Sequence, residues 1–192
     1  MNWRSRQILE RPEWSMHRSL YKAMGYSDHD LEGPMIGIAN SWNRVVPGHY
    51  NLNQVSEYVQ QGIRQAGGTP VEFGVIAACD GIAQGHAGMH YILPTRDLIA
   101  NDIEMMVQAH RLDAVVLLGS CDKIVPAMLM AAARLDLPAI IVVGGVVSLR
   151  DRLKWFENRP LFGRRIIVTR AREQASNLVN TLMELGAQCL EY

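Results

Sequence analysis

The chain has 192 residues, of which 48% are apolar and 20% charged, and its formal net charge at neutral pH is zero. A zero net charge gives no bulk electrostatic reason to expect a nucleic acid or an anionic membrane as partner. The amino terminus lacks the apolar core of a signal peptide, and no apolar run approaches the roughly 20 residues of a spanning helix, so the sequence predicts a cytoplasmic globular protein.

The first third of the chain predicts an arm, a strand and a helix. Residues 5–31 follow a polar helical pattern that is interrupted twice, typical of an arm that packs on a neighbour. An apolar run at 35–39 predicts the first strand, and the polar, turn-rich residues 40–51 predict its exit loop. Residues 52–66 repeat apolar side chains at intervals of three and four and end before two glycines, which predicts an amphipathic helix.

Three further apolar runs, at residues 71–78, 113–119 and 139–143, predict the remaining strands of the same sheet. Helices are predicted between them, one capped by Thr95 and another over residues 124–135. The first of these helices has a predicted buried stripe: Leu98, Ile99, Ile103 and Met106. Because the strands are continuously apolar and separated by helices, the sequence predicts a doubly wound α/β domain with a mostly parallel sheet and helices on both faces.

The composition changes after Gly145, where a charged segment with a proline stop follows. Residues 165–169 predict a strand, residues 173–185 a helix and residues 188–192 a final strand, which together form a βαβ fragment. The predicted division is a core domain at 1–145, a linker at 146–162 and the βαβ fragment at 163–192.

Charged and thiol side chains follow two of the predicted strands. Asp80 follows the second strand, while Cys121, Asp122 and Lys123 follow the third. These two strands are expected to be neighbours, so both loops should face one crevice of the sheet. Two carboxylates in one crevice repel each other unless a cation lies between them, and Mg²⁺ prefers oxygen ligands. An ammonium group fits such a site poorly, so a neutral or a modified, negatively charged Lys123 is expected there. The alternative is that these residues only cap strand ends.

The other chemically active side chains give weaker signals. Cys121 is a soft ligand suited to iron–sulfur clusters or zinc, but one cysteine is not a site. Cys79 is expected on the other side of its strand as a small buried apolar residue. His49, His86 and His90 lack ligand spacing and are expected to be hydrogen-bonding loop residues. The segment GIAQGHAG lacks the phosphate-loop patterns, which argues against nucleotide binding.

Long segments of the core resemble one enzyme family. The segments GIANSWNRVVPGH, AGGTPVEF, CDGIAQGHAGMHYILPTRDLIANDIE and CDKIVPAMLMAAARLDLPAI are similar to the amino-terminal domain of the dihydroxy-acid dehydratase and phosphogluconate dehydratase family. The resemblance covers residues 4–145. It implies an iron–sulfur, Mg²⁺-dependent hydro-lyase that converts 2,3-dihydroxy acids to 2-keto acids, as in branched-chain amino-acid biosynthesis.

The resemblance also implies roles for individual residues. Cys121 would ligate the cluster, and Asp80 and Asp122 would bind Mg²⁺. Lys123 would be the metal-site lysine, which related proteins carry as a carbamate. The implied partner is a small dihydroxy acid, a homodimer is a possible assembly, and no catalytic residue is assigned.

Departures from the family pattern accompany this resemblance. Gly48 stands where some members have a cysteine ligand, Ala127 stands in place of glycine, and Gln84 in place of methionine. The family's further cluster cysteine and its serine base belong to positions beyond Gly145. The expectation is therefore a truncated, inactive half of a dehydratase.

The tail resembles enzymes of tetrapyrrole biosynthesis. VVSLRDRLKWFE is similar to the end of uroporphyrinogen-III methyltransferase, and RPLFGRRIIVTRAREQASNLVNTLMELGA is similar to the opening βαβ unit of uroporphyrinogen-III synthase. The sequence thus predicts a junction of two enzymes within residues 138–146. Two alternatives to a dehydratase half stay open: a non-catalytic chimeric fragment, and a tetrapyrrole-binding fragment in which Thr169, Arg170 and Arg172 contact the ligand.

Overall fold

The computed structural model describes residues 3–9, 12–143, 160, 165–168, 181–182, 185 and 188–191. The chain divides into two compact units, Met1–Val147 and Ser148–Tyr192.

The first unit begins with two short 3₁₀ helices, Ser5–Ile8 and Pro12–Trp14, and helix α1, Ser15–Ala23. Strands and helices then alternate in the order β1 (Met35–Asn40), α2 (Leu52–Gln65), β2 (Thr69–Gly74), α3 (Asp80–Ala83), α4 (Thr95–Ala109), β3 (Ala114–Gly119), α5 (Ile124–Leu135) and β4 (Ala139–Val143). Two more 3₁₀ helices, Pro47–His49 and Ala87–Tyr91, lie in the loops after β1 and α3.

The four strands of this unit form one parallel sheet in the order β2-β1-β3-β4. The predicted α/β fold with a parallel sheet is confirmed. The chain adds β2 on one side of β1 and then returns to add β3 on the other side. The strand order therefore reverses between β1 and β3, which is where open sheets of this kind bind ligands.

Alternate side chains of the central strands enter two separate cores, because successive residues of a strand point to opposite faces. The core under α2 contains Ile38, Leu52, Val55, Val116 and Leu118. The core under α4 and α5 contains, among others, Met35, Ala39, Ile99, Ile103, Val115, Leu117 and Met128. Helices thus cover both faces of the sheet, as the unbroken apolar strands predict.

The amino-terminal arm packs on its own unit. Leu9 is buried at 3% exposure and joins the core under α4 and α5. Arg4 Nη1 donates a hydrogen bond to the carbonyl of Leu112 at 3.1 Å, and Arg111 donates to the side chain of Gln7 at 2.9 Å. These contacts hold the arm beside the start of β3.

Three sequence-based expectations are wrong in detail. The second strand spans Thr69–Gly74 and not 71–78; it is an edge strand, where the missing N–H of Pro70 is tolerated. Thr95 is the first residue of α4, and its hydroxyl donates to the carbonyl of Ile92 at 2.6 Å, so it caps no backbone N–H. Leu98 is 55% exposed, whereas Val107 is buried. The buried stripe of α4 therefore includes Val107 and not Leu98.

The second unit contains two described strands, β5 (Arg165–Val168) and β6 (Gln188–Glu191). They pair in parallel, with Arg165 opposite Gln188. A parallel pair needs a crossover connection, as in the predicted βαβ fragment. Residues 181 and 182 are helical, and the rest of the predicted helix at 173–185 lies outside the described residues, except residue 185, which is in a turn.

Candidate functional site

The candidate site lies at the carboxyl ends of β1, β2 and β3. The expectation that Asp80 and the Cys121 loop follow neighbouring strands is wrong, because β1 lies between β2 and β3. The two loops nevertheless meet, since the chain continues past the end of β2 before Asp80 begins α3. The exit loop of β1 therefore forms the middle of the site.

Lys123 brings the two candidate carboxylates together. Its Nζ lies 3.8 Å from Oδ2 of Asp80, and it also forms an ion pair and a hydrogen bond with Oδ2 of Asp122. The Lys123 side chain is 19% exposed, against 35% for Asp80 and 57% for Asp122. A single ammonium group thus balances two carboxylates at the rim of the sheet.

The electrostatics of Asp122 follow from this contact. The hydrogen bond from Lys123 is the largest influence on its carboxyl group, and it holds the pKa of Asp122 below the ordinary value of 3.8. Asp80 also contributes a side-chain hydrogen-bond interaction that lowers this pKa. The backbone N–H of Gly81 donates to Oδ1 of Asp80 at 2.9 Å, which orients this carboxylate at the start of α3.

Cys121 lies in a strained turn, two residues after the last residue of β3. Its φ angle is +68°, in the left-handed region that residues with a Cβ seldom adopt. The thiol is half-buried, and burial is the main reason that the pKa of Cys121 lies above its ordinary value of 9.0. The nearby Cys79, Asp80 and Asp122 raise this pKa further.

Cys79 has a different environment from the expected one. It is half-buried, not buried, and it lies near enough to Cys121 for the two thiols to interact electrostatically. Sequence alternation failed here because residues 75–79 lie beyond the end of β2, so the alternating geometry of a strand does not govern them.

Of the three candidate histidines, His49 and His86 have ring nitrogens within hydrogen-bond distance of backbone groups. His49 is fully buried and its ring nitrogens contact Ser41 and Ser120, the residue before Cys121. His86 is exposed; its Nδ1 accepts from the N–H of Gly88 at 3.1 Å, and its Nε2 lies 3.0 Å from the carbonyl of Ile82. His90 is exposed. The burial of His49 was missed, because no local sequence pattern marks a contact between residues 49 and 120.

The family resemblance implies Mg²⁺ and an iron–sulfur cluster, and the described carboxylates and thiols can be tested for their fit to each. Two carboxylates are suitable ligands for Mg²⁺, but an ammonium on Lys123 occupies the space between them and competes with a cation. A cluster needs more thiolates than Cys121 alone provides, and Cys79 raises the number to only two. Among the residues that the structure describes, no group of three or more His, Cys, Asp or Glu side chains is placed to hold a metal ion.

No helix among the described residues is long and apolar enough to cross a membrane.

The chain is similar to known dehydratases over most of its length. Residues 33–181 match the family model described as dihydroxy-acid/6-phosphogluconate dehydratase N-terminal. A dihydroxy-acid dehydratase of Ignicoccus hospitalis is 59% identical over 138 residues, which are 72% of this chain and 25% of that protein. The dihydroxy-acid dehydratase of Acetivibrio thermocellus is 54% identical over 160 residues, which are 83% of this chain and 29% of that protein.

A third relative gives similar proportions. The dihydroxy-acid dehydratase of Pyrococcus furiosus is 54% identical over 142 residues, covering 74% of this chain and 26% of that protein. The chain thus spans between about a quarter and three tenths of the length of these relatives.

Proposed function

The chain belongs to the dihydroxy-acid and 6-phosphogluconate dehydratase family, and from this membership we propose that it supplies the Mg²⁺-binding and thiol-bearing edge of a dihydroxy-acid hydro-lyase. The observation that supports the proposal is the convergence of Asp80, Asp122 and Lys123 at the end of a parallel sheet, 3.8 Å separating Lys123 Nζ from Asp80 Oδ2. The proposed substrate class is a small dihydroxy acid, the class that the names of the relatives give, and we propose that its two hydroxyl groups lie on carbons 2 and 3. We propose that the protein acts in the cytoplasm and binds neither a nucleic acid nor a membrane.

Carbamylation of Lys123 would remove the misfit of the metal site. Reaction of the neutral amine with CO₂ forms an N–C bond, releases one proton and replaces the positive group by a carbamate. The carbamate oxygens would then join Asp80 and Asp122 as hard, negatively charged ligands of the kind that Mg²⁺ prefers. The bound Mg²⁺ would hold the oxygens of the substrate.

The thiol side of the site is incomplete. Cys121 is the proposed cluster ligand, but the described residues place only Cys79 near it. Two thiols do not complete an iron–sulfur cluster. We therefore propose that the 192-residue chain alone binds Mg²⁺ but does not dehydrate a dihydroxy acid.

Calorimetric titration with Mg²⁺, in the presence and absence of bicarbonate, tests this proposal. We expect bicarbonate to strengthen binding in the unaltered chain, and Asp80→Asn to abolish it. Lys123→Arg keeps the positive charge but cannot form the carbamate, so its binding should be weak with or without bicarbonate. Asp97→Asn, which removes an exposed carboxylate from the first turn of α4, is the matched control and should bind as the unaltered chain does.

Two results would contradict the proposal. Mg²⁺ binding that is unchanged in Asp80→Asn would place the cation elsewhere. Formation of a 2-keto acid from a 2,3-dihydroxy acid by the purified chain would show that its site is complete. Native mass spectrometry that detects the added mass of CO₂, and its loss in Lys123→Arg, checks the carbamate independently of binding.

A second proposal concerns residues 146–192. We propose that residues 146–162 are a linker and residues 163–192 a βαβ fragment of the uroporphyrinogen-III synthase type. The parallel pairing of Arg165–Val168 with Gln188–Glu191 supports it, whereas the dehydratase family match continues to residue 181. Equilibrium titration with a linear tetrapyrrole tests the binding form of this proposal, and a lack of binding would contradict it.

The remaining alternative is a non-catalytic chimeric fragment. It predicts that neither Mg²⁺ nor a dihydroxy acid changes the melting temperature of the chain, because a ligand that binds only the native state must stabilise it. A rise in melting temperature with Mg²⁺ that Asp80→Asn removes would favour the dehydratase half over this alternative.

A further inference from the structure

His49 differs from the other histidines in its burial. The structure describes all six histidines of the chain, and only His49 is fully buried, with 0% exposure. A buried ring has lost its hydrogen bonds to water, so its two nitrogens need partners within the protein. Both have them, and the two partners lie on different loops of the candidate site.

The two ring nitrogens of His49 contact the backbones of two different residues. Nδ1 lies 2.7 Å from the carbonyl oxygen of Ser41, which can only accept, so Nδ1 carries the proton. Nε2 lies 3.2 Å from the backbone nitrogen of Ser120 and 3.0 Å from its carbonyl oxygen, so it can accept from the N–H or, when protonated, donate to the carbonyl. In either case the partner of Nε2 is the backbone of Ser120.

The other end of this link is fixed to the sheet. The backbone N–H and the hydroxyl of Ser41 both donate to the carbonyl of Leu118, at 3.1 and 2.7 Å. His49 therefore completes a connected set of hydrogen bonds that starts at the end of β3, crosses to the exit loop of β1 and returns to Ser120. The two points that it joins on the β3 side, Leu118 and Ser120, are only two residues apart.

Cys121 follows directly after this anchored residue. Its left-handed backbone is disfavoured for a residue with a Cβ and persists only where the surroundings hold it. Gly48 allows the exit loop of β1 to approach this turn closely, since a Cβ at this position would lie 2.7 Å from Oγ of Ser120 and 3.6 Å from Sγ of Cys121. We propose that His49 is a positioning residue, which fixes the Ser120 backbone and thereby the direction in which the Cys121 thiol points.

This inference rests on the proposed function only in the importance that it gives to Cys121. Its test uses the full 192-residue chain with Cys79→Ser and Cys189→Ser, which leave Cys121 as the single thiol. His49→Asn keeps an amide N–H near the position of Nδ1 but has no atom at Nε2. His49→Gln has no atom at Nδ1, but it places its amide near Nε2, where the amide can bond to the backbone of Ser120.

The measurement is the rate at which iodoacetamide alkylates Cys121 at a fixed pH, well below the melting temperature of each variant. We expect alkylation to be about fivefold faster in His49→Asn, the equilibrium factor of one ordinary hydrogen bond. The rate in His49→Gln should stay close to that of the parent. If His49 acted only through overall stability, two variants with the same melting temperature would be alkylated at the same rate. His110→Asn alters an exposed histidine whose Nδ1 lies 2.8 Å from the carbonyl of Met106, and it should leave the rate unchanged.

Equal rates in His49→Asn and His49→Gln would overturn the proposal. Nitrogen-15 NMR of the unaltered chain tests it without any variant, by showing whether Nε2 of the His49 ring is hydrogen-bonded to the backbone of Ser120. An Nε2 without a hydrogen bond to Ser120 would overturn the proposal. Neither measurement involves a metal or a substrate, so a failure of Mg²⁺ binding would leave both results standing.

Discussion

The carboxylate of Asp113 accepts two hydrogen bonds from Ser5, a residue 108 positions earlier in the chain. One comes from the backbone N–H at 3.1 Å and the other from the hydroxyl at 2.6 Å. Oδ2 of Asp113 also accepts from the backbone N–H of Met35 at 2.8 Å. Asp113 is 8% exposed. One buried carboxylate therefore joins the amino-terminal arm, the start of β1 and the start of β3.

The first prediction concerns this carboxylate. Asp113→Asn places an amide NH₂ where an oxygen now faces N–H and O–H donors, so at least one buried donor loses its acceptor. We expect the free energy of unfolding to fall by about 3 kcal/mol, the upper range for hydrogen bonds to a charged group. Urea unfolding measures it.

The control for Asp113 is Asp136→Asn. Asp136 is exposed and has a φ angle of +48°, a conformation that asparagine tolerates well. We expect a change within about 0.5 kcal/mol. Equal losses in the two variants would show that Asp113 is no anchor.

The second prediction concerns the contact of β3 with α5. A Cβ on Gly119 would lie 2.7 Å from Sδ of Met128 and 3.1 Å from Cγ2 of Ile124, so Gly119→Ala overpacks this contact. We expect a loss of about 1–3 kcal/mol in the free energy of unfolding. Part of it should return with Met128→Val, which removes the sulfur.

Gly62→Ala is the matched control for Gly119. Gly62 lies inside α2, and a Cβ there would meet nothing within 4 Å. Alanine should therefore raise the stability by about 0.5–1 kcal/mol, because glycine is the poorer helix former. A destabilisation of similar size in both variants would contradict the packing explanation.

The sequence predicts the fold well because its signals are local. Unbroken apolar strands separated by helices require a sheet covered on both faces, and α5 begins and ends where its pattern does. The side-by-side placement of Asp80 and Lys123 was also predictable, since both follow strands of one parallel sheet. Their roles as metal ligands stay a prediction.

Other features have no local signal. Strand order is set by packing and not by neighbouring residues, so the position of β1 between β2 and β3 could not be read from the chain. The same holds for His49 and Asp113, whose partners lie 71 and 108 residues away. A polar residue that is buried to hold a distant backbone group looks, in the sequence, like any other loop residue.

The third prediction concerns the pH dependence of the ion pair at the site. The hydrogen bond from Lys123 lowers the pKa of Asp122, so Lys123→Gln should raise this pKa toward its ordinary value of 3.8. A lowered pKa in the folded state means that the contact stabilises the protein above pH 3.8 and that this contribution is lost as the pH falls through the folded value. The shift is measured by carbon-13 NMR titration of the carboxyl group.

Arg134→Gln is the charge-matched control for Lys123→Gln. Arg134 lies in the last turn of α5 and pairs with Glu104 at 3.5 Å. Arg134→Gln removes the same positive charge from another part of the unit, so the pKa of Asp122 should not change. A shift of equal size in both variants would mean that net charge, and not the contact with Lys123, sets the pKa.

The last prediction concerns the coupling of the two thiols. Burial is the largest cause of the raised pKa of Cys121, and Cys79 is the next. Cys79→Ser should therefore lower the pKa of Cys121, but not below the ordinary value of 9.0, because the thiol stays half-buried. The pH dependence of alkylation at the Cys121 peptide, followed by mass spectrometry, measures this change; Asp97→Asn, which removes an exposed carboxylate, should leave it unaltered.

The raised pKa of Cys121 also affects stability at high pH. Above pH 9.0 the unfolded chain releases the thiol proton while the folded chain still holds it, so the free energy of unfolding decreases as the pH rises. This decrease should be smaller in Cys79→Ser, because the folded pKa then lies nearer to the unfolded one. Urea unfolding on either side of pH 9.0 measures it, and an identical decrease in both chains would show that Cys79 and Cys121 titrate independently.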